Sequence, residues 1–248
     1  MTAILDHFAI GTPALTDGWD LFGGVLGGTW AFGDDSPGFW WGELEFAAGP
    51  KVELLTPTGG PDAAFLERFL AAHGAGPHHL TFLVSDIEAV LARVRAFGIE
   101  PVGVNLADPN WREAFLHPRS AQGIVIQVAE QHGPPPAAPP PRELAEPGPP
   151  ARFDLIEHHV SDLDRALRLF GDVLGGQLDA ASAGTAGGTE LTWPGGKRIR
   201  LVRQDGLPLG GALHHVGFTR TSGAFSAPER DRAHLLAKRL GVAVELAG

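Results

Sequence analysis

Short runs of alternating apolar and polar residues recur along this chain, separated by glycine and proline. ILDHFAI (4–10), KVELLTP (51–57), HLTFLV (79–84) and GIVIQVAEQ (123–131) all have this pattern. A period of two marks strands with one packed face. FWWGELEFA adds a hairpin partner for KVELLTP across the turn AAGP. Two stretches carry helical patterns instead. One helix is expected around 14–26, stopped by Gly27 and Gly28. The other covers IEAVLARVRAFG, where Ile87, Val90, Leu91, Val94 and Phe97 form a stripe behind Asp86 as N-cap. Further strands are expected near 99–104, 112–117 and 123–129. The order is strand, helix, then two or three strands, twice over.

The pattern repeats on a larger scale. LFGGVLGG (21–28) returns as LFGDVLGG (169–176), GELEFAAGPKVELL (42–55) lies over TELTWPGGKRIRLV (189–202), and GPHHLTF (76–82) lies over ALHHVGF (212–218). Blocks in the same order imply an internal duplication. Residues 132–150, HGPPPAAPPPRELAEPGPP, hold nine of the 21 prolines. Such a segment cannot continue a helix or a ladder and behaves as an extended spacer. It divides the chain into 1–131, a linker over 132–150, and 151–248. The fold class is α+β, with tandem βαβββ modules forming two half-barrels, the second one shorter.

Strand parity selects candidate chemistry. In the four alternating strands one face is apolar, and the opposite face receives His7, Glu53, His79 and Gln127, one from each strand. His78 has the parity of the packed face. If the strands curl together, two imidazoles, a carboxylate and a carboxamide oxygen would suit a divalent ion: Zn, Co, Ni, Mn or Fe. Trp40 and Trp41 alternate, so one of them walls the same pocket. Asn110, Arg112 and His117 lie near the Gln127 strand and could grip an anionic group.

Composition narrows the partners. Net charge is −10, which disfavours nucleic acid and anionic membranes. No apolar run is long enough to span a membrane, and no signal segment opens the chain. Cysteine is absent, so there are no disulfides or thiolate ligands. A cytoplasmic protein acting on a small molecule is expected.

LDHFAI, VELLTP, GPHHLTFLVSDIEAVLARVRAFGI and FLHPRSAQGIVIQVAE, in this order, resemble the vicinal oxygen chelate (glyoxalase/bleomycin resistance/dioxygenase) superfamily. Over residues 4–131 the chain is most similar to its methylmalonyl-CoA epimerase branch. The resemblance implies a metal held by His7, Glu53, His79 and the last-strand position, and proton transfer next to a carbonyl or thioester. It also implies an acyl thioester, a small organic acid or an aromatic molecule as substrate. The last-strand ligand of those isomerases is usually a glutamate that also serves as base. Here it is Gln127, which can ligate but cannot accept a proton. Glu53, Glu45 or Glu43 would then take over. Two other functions fit the sequence: a mononuclear iron dioxygenase using His7, His79 and Glu53, and a non-catalytic binding or resistance protein.

The second half lacks the set. Leu155 stands for His7 and Arg200 for Glu53, and only His215 matches, opposite His79. The chain ends after GVAVEL, leaving no counterpart of the Gln127 strand. No metal is expected there by this constellation, and His158, His159 and His214 are read as structural or exposed. A half-barrel short of strands leaves an edge that a second copy or the first half must cover, which points to a homodimer or tight internal packing.

Overall fold

The computed structural model describes residues 3–135, 138–142, 144–182 and 187–248. The first half contains β1 (Ala3–Gly11), α1 (Leu15–Gly18), β2 (Thr29–Ser36), β3 (Phe39–Glu45), β4 (Lys51–Pro57), α2 (Ala64–His73), β5 (Gly76–Val84), α3 (Ile87–Ala96), β6 (Val102–Asn105), β7 (Trp111–Leu116) and β8 (Val125–Gln131). The second half contains β9 (Ala151–Val160), α4 (Leu163–Leu167), β10 (Gln177–Leu178), β11 (Thr189–Trp193), β12 (Lys197–Arg203), β13 (Gly211–Arg220), α5 (Ala227–Arg239) and β14 (Val244–Ala247). One curled sheet has the order β2-β3-β4-β1-β5-β8-β7-β6, and the other the order β10-β11-β12-β9-β13-β14. These are the two half-barrels, the second with fewer strands.

The duplication persists in backbone detail. α1 runs on into a wider π-helical segment, Trp19–Val25, and α4 into another, Arg168–Val173. Leu26 N bonds Leu21 O at 2.9 Å, and Leu174 N bonds Leu169 O at 3.0 Å. Both segments end on a glycine with positive φ, Gly27 at 70° and Gly175 at 76°, a conformation side chains resist. α3 forms where its stripe predicts. Asp86 Oδ1 accepts the Ala89 N–H at 2.9 Å, and Ile87, Val90, Leu91 and Val94 are buried.

α2 is an element the alternation pattern does not announce. Its Leu66 packs on Ala9 of β1 and Leu55 of β4, with Phe39, Trp41, Phe69 and Leu70 around them. It therefore covers part of the face to which Glu53 belongs.

The chain forms two compact units. One comprises Met1–Asp6, His79–Pro134 and Leu155–His214. The other comprises His7–His78, Pro135–Asp154 and His215–Gly248. In the second unit Phe153 stacks on Phe218 at 4.6 Å, with Phe46 edge-on to both. In the first, Phe82 packs against Trp193 at 5.5 Å and against Phe170 at 6.3 Å. The described part of the proline-rich segment is tied down rather than free. Trp30 Nε1 donates to Ala138 O at 3.1 Å, and Gly148 N donates to Gly23 O at 3.1 Å. Among the described residues no helix is long and apolar enough to cross a membrane.

Candidate metal centre and its surroundings

β1 and β4 run parallel with Ala9 opposite Glu53 and His7 opposite Lys51. β3 runs antiparallel to β4, with Glu43 opposite Glu53 and Trp41 opposite Leu55. Directly paired residues share a face, so His7, Glu43, Glu53 and Trp41 lie on one side of the sheet. His7, Glu43 and Glu53 are 3%, 3% and 7% exposed. His7 Nδ1 is 3.1 Å from Glu43 Oε1, and Glu43 Oε2 is 2.6 Å from Lys51 Nζ. An Nδ1–H donating to Glu43 fixes the tautomer, so the Nε2 lone pair points at Glu53 Oε2, 3.7 Å away. That gap is too long for a hydrogen bond. A divalent ion between the lone pair and the carboxylate would serve both. Two ligands of one zinc ion, each about 2 Å from it, stand roughly 3–3.5 Å apart. The donor set fits a metal ion.

The other unit carries His79 and Gln127. Thr81 is opposite Gln127 in the parallel pair of β5 and β8, and Phe115 is opposite Gln127 in the antiparallel pair of β7 and β8. His79, Thr81, Gln127, Glu113 and Trp111 consequently share a face. Thr81 Oγ1 donates to Gln127 Oε1 at 2.6 Å, and Gln127 Nε2 donates to Glu113 Oε2 at 2.7 Å. Trp111 Nε1 donates to the same Glu113 oxygen at 2.9 Å. The Gln127 amide is thus oriented at both ends, and its carbonyl oxygen keeps a second lone pair. Glu113 is not among the candidates the sequence supplies. Its parity within WREAF is readable, but its partner follows only from the β7–β8 register.

The described residues include three groups of histidines and carboxylates able to hold a metal ion. They are His7 with Glu53 and His79, Glu157 with His159 and His214, and Asp6 with His7 and Glu43.

Other expected site residues fall elsewhere. Glu45 is exposed at the end of β3. Trp41 lies on the Glu53 face and donates from Nε1 to Ser36 Oγ at 3.1 Å. Trp40 turns the other way and packs on Trp19 at 5.6 Å. There it joins Leu15, Thr16 and Pro141 around a cavity of about 270 Å³. That cavity has no metal-capable side chain, so volume alone does not mark the chemistry. Arg112 pairs with Glu130 at 3.1 Å and with Glu88 on the face opposite Gln127, which takes it away from the Gln127 side. His117 is exposed beyond β7, and its Nδ1 accepts the Arg119 N–H at 3.2 Å. His78 packs edge-on against Phe69 at 4.8 Å and Phe65 at 5.8 Å, and burial lowers its pKa to about 4.

The second sheet corrects one expectation. A counterpart of the Gln127 strand does exist. β14 pairs parallel with β13, and Glu245 is opposite Gly217, as Gln127 is opposite Thr81. β14 brings apolar Val244 and Leu246 against Val216 and Phe218, which covers an edge that would otherwise be bare. His215 Nε2 lies 2.9 Å from Glu245 Oε2. Leu155 and Arg200 occupy the other two places. His158 is fully buried, bonds Gln122 O through Nε2 at 2.7 Å, and has its pKa lowered to about 4, chiefly by burial.

Comparison with known proteins agrees with this architecture. Over 138 residues the chain is 29% identical to the mitochondrial methylmalonyl-CoA epimerase of Dictyostelium discoideum, covering 51% of this chain and 78% of that protein. A variant of 4-hydroxymandelate synthase from Streptomyces coelicolor superposes with a TM-score of 0.58 at 12% identity, covering 96% of this chain and 75% of that one. A fusion of a xylose isomerase-like TIM barrel with a 4-hydroxyphenylpyruvate dioxygenase gives 0.60 at 17% identity, covering 94% of this chain and 38% of that one. These two likenesses concern the fold alone. Residues 6–115 match the glyoxalase/bleomycin resistance protein/dioxygenase superfamily.

Proposed function

We propose that the protein is a metal-dependent isomerase or lyase that moves a proton next to a carbonyl or thioester, in the manner of an epimerase. His7, Glu53 and His79 would hold one divalent ion (Zn, Co, Ni, Mn or Fe), with Gln127 as a weaker oxygen ligand. The observation that carries this reading is the buried His7–Glu53 pair, 3.7 Å apart with Glu43 behind the imidazole. The likeness to an epimerase over half the chain supports it. A bound divalent ion polarises a carbonyl oxygen and favours the enolate form of a substrate.

The chain's own groups do the rest. Gln127 cannot take a proton, but it hands its amide N–H to Glu113. Glu113 is the nearest replacement for the missing base, ahead of the exposed Glu45, and Glu53 is the carboxylate on the other side. Trp41 supplies an apolar wall for a small acyl or aromatic group. Residues 1–131 form the catalytic domain, 132–150 the linker and 151–248 a supporting domain. The acidic, cysteine-free composition fits a cytoplasmic enzyme, and the homodimer remains part of the proposal.

The test is elemental analysis of protein purified without chelator, paired with α-proton exchange of methylmalonyl-CoA in deuterated water. The expected result is that His79→Ala holds one metal equivalent per chain fewer than wild type, while His78→Ala holds as much as wild type. Metal lost with His78 rather than His79 ends the ligand assignment. Metal binding without exchange ends the epimerase assignment alone. Oxygen uptake with an aromatic keto acid and iron would favour the dioxygenase reading, for which His7, His79 and Glu53 already suffice.

A further inference from the structure

We propose a second divalent-metal site in the second half, formed by Glu157 and His159 of β9 and His214 of β13. It is independent of the site on β1, β4, β5 and β8. Each of the three residues offers one ligand atom, and all lie within 4.8 Å of one another.

The hydrogen bonding around the cluster points to a cation. Gln204 Oε1 lies 2.6 Å from His159 Nδ1, and an amide oxygen can only accept, so Nδ1 is the donor. In the neutral ring the lone pair then resides on Nε2, which faces Glu157 Oε1 at 2.8 Å. His214 Nδ1 approaches the same oxygen at 3.3 Å. The two rings stack face to face, 4.2 Å apart and 6° from parallel. The 2.8 Å contact is of hydrogen-bond length, so a proton or a cation in its place lies between the two atoms, and a second imidazole nitrogen is turned to the same oxygen. A divalent ion shared among the three would take that proton's place. An outer carbonyl that fixes the tautomer of a ligand histidine is what metal sites use. Arg200 does not block the spot. It takes the other carboxylate oxygen, Glu157 Oε2, at 3.3 Å, and its charge is met by Glu190 at 2.7 Å.

The duplication explains why the site exists only here. By the block alignment, Glu157, His159 and His214 stand where the first half has Ala9, Gly11 and His78. There α2 covers the position: Leu66 packs on Ala9, Phe69 on His78, and a Cβ on Gly11 would meet Leu66 and Phe69 at 3.0 Å. In the second half residues 204–210 join β12 to β13 through a single 3₁₀ turn, so no helix lies there. The vacated face carries polar ligands. Glu157 and His159 are 12% and 14% exposed and His214 is 55% exposed, so solvent and ions can enter from the His214 side. Two imidazoles and one carboxylate suit zinc or a neighbouring borderline ion, with remaining positions for water.

The test is equilibrium dialysis against zinc ion. The His7→Ala, His79→Ala variant is expected to keep one zinc per chain, and further replacement of His159 and His214 by alanine to abolish it. His214→Ala alone, on a half-exposed side chain, should remove one equivalent from wild type while leaving the melting temperature of the metal-free protein unchanged. Absence of zinc from the His7→Ala, His79→Ala variant, or zinc that survives loss of His159 and His214, would overturn the second site. Neither result bears on the first site, whose ligands are read by the His79→Ala measurement.

Discussion

His7 Nδ1 and Glu43 Oε1 are 3.1 Å apart inside the sheet, with both side chains almost fully buried. This contact decides which imidazole nitrogen carries the proton and which faces Glu53. Replacing Glu43 by glutamine keeps an acceptor for Nδ1 but removes the negative charge that raises the basicity of Nε2. Losing such an outer partner costs about 10–100-fold in metal affinity. Competition with a chromophoric chelator should read that loss for Glu43→Gln. An unchanged affinity would mean that Glu43 serves only Lys51.

Acid should destabilise the metal-free protein through two histidines that bind nothing in the proposed sites. His78 and His158 are held at about 4, in both cases mainly because burial disfavours the imidazolium. Unfolded, each would titrate near 6.5, so between pH 6.5 and 4 the unfolded chain takes up protons that the folded chain refuses. Stability therefore falls as pH drops through that window, by about 2 kcal/mol per histidine at about pH 5. Urea midpoints taken with chelator present should show this fall. His78→Leu should flatten the profile by about half, and a profile unaltered by that change would contradict the assignment.

How much of this is legible in the sequence varies with the signal. Alternation locates the faces of His7, Glu53, His79 and Gln127, because a strand has only two sides and the apolar residues label one. It misplaces His78, which packs on Phe65 and Phe69 of α2, the helix that covers Ala9 and Leu55, and not on the apolar face of Leu80 and Phe82. α3 is legible because a stripe and an N-cap coincide at Asp86. α2 is not, although Phe65, Leu66, Phe69 and Leu70 have helical spacing. Its N-cap is Ala63, which offers no side-chain acceptor, so nothing marks the start. Glu113 and Glu245 depend on strand register, which parity within one strand does not contain. The cluster at Glu157 depends on a missing helix, which only comparison of the halves exposes.

α2 should contribute heavily to stability for its length. Leu66 is fully buried among Ala9, Leu55 and Trp41. Leu66→Ala is expected to cost about 2–5 kcal/mol, the range for a buried leucine that leaves a cavity. Chemical denaturation measures it. A loss below about 1 kcal/mol would mean that α2 is only loosely held against the sheet.

The pair formed by Gln127 and Glu113 yields a sharper test, because it relates stability to the question of the base. Gln127 Nε2 donates to Glu113 Oε2 at 2.7 Å. A carboxylate introduced at position 127 would face the Glu113 carboxylate at that distance, and like charges so close cannot both ionise without cost. Gln127→Glu alone should therefore lower stability by about 1–3 kcal/mol near neutral pH, the penalty of an unmet buried polar group, with partial recovery in acid. Gln127→Glu combined with Glu113→Gln reverses the polarity of the same contact and should recover most of the loss. If Glu113 is the proton acceptor, Glu113→Gln alone should abolish α-proton exchange while metal content stays intact. The double variant should then regain exchange through the carboxylate moved to position 127. Exchange that persists in Glu113→Gln would assign the base to Glu53 instead. Melting curves and exchange rates for the four proteins of this cycle separate the two, because the structural cost is read from Gln127→Glu in stability and the chemical role from Glu113→Gln in rate.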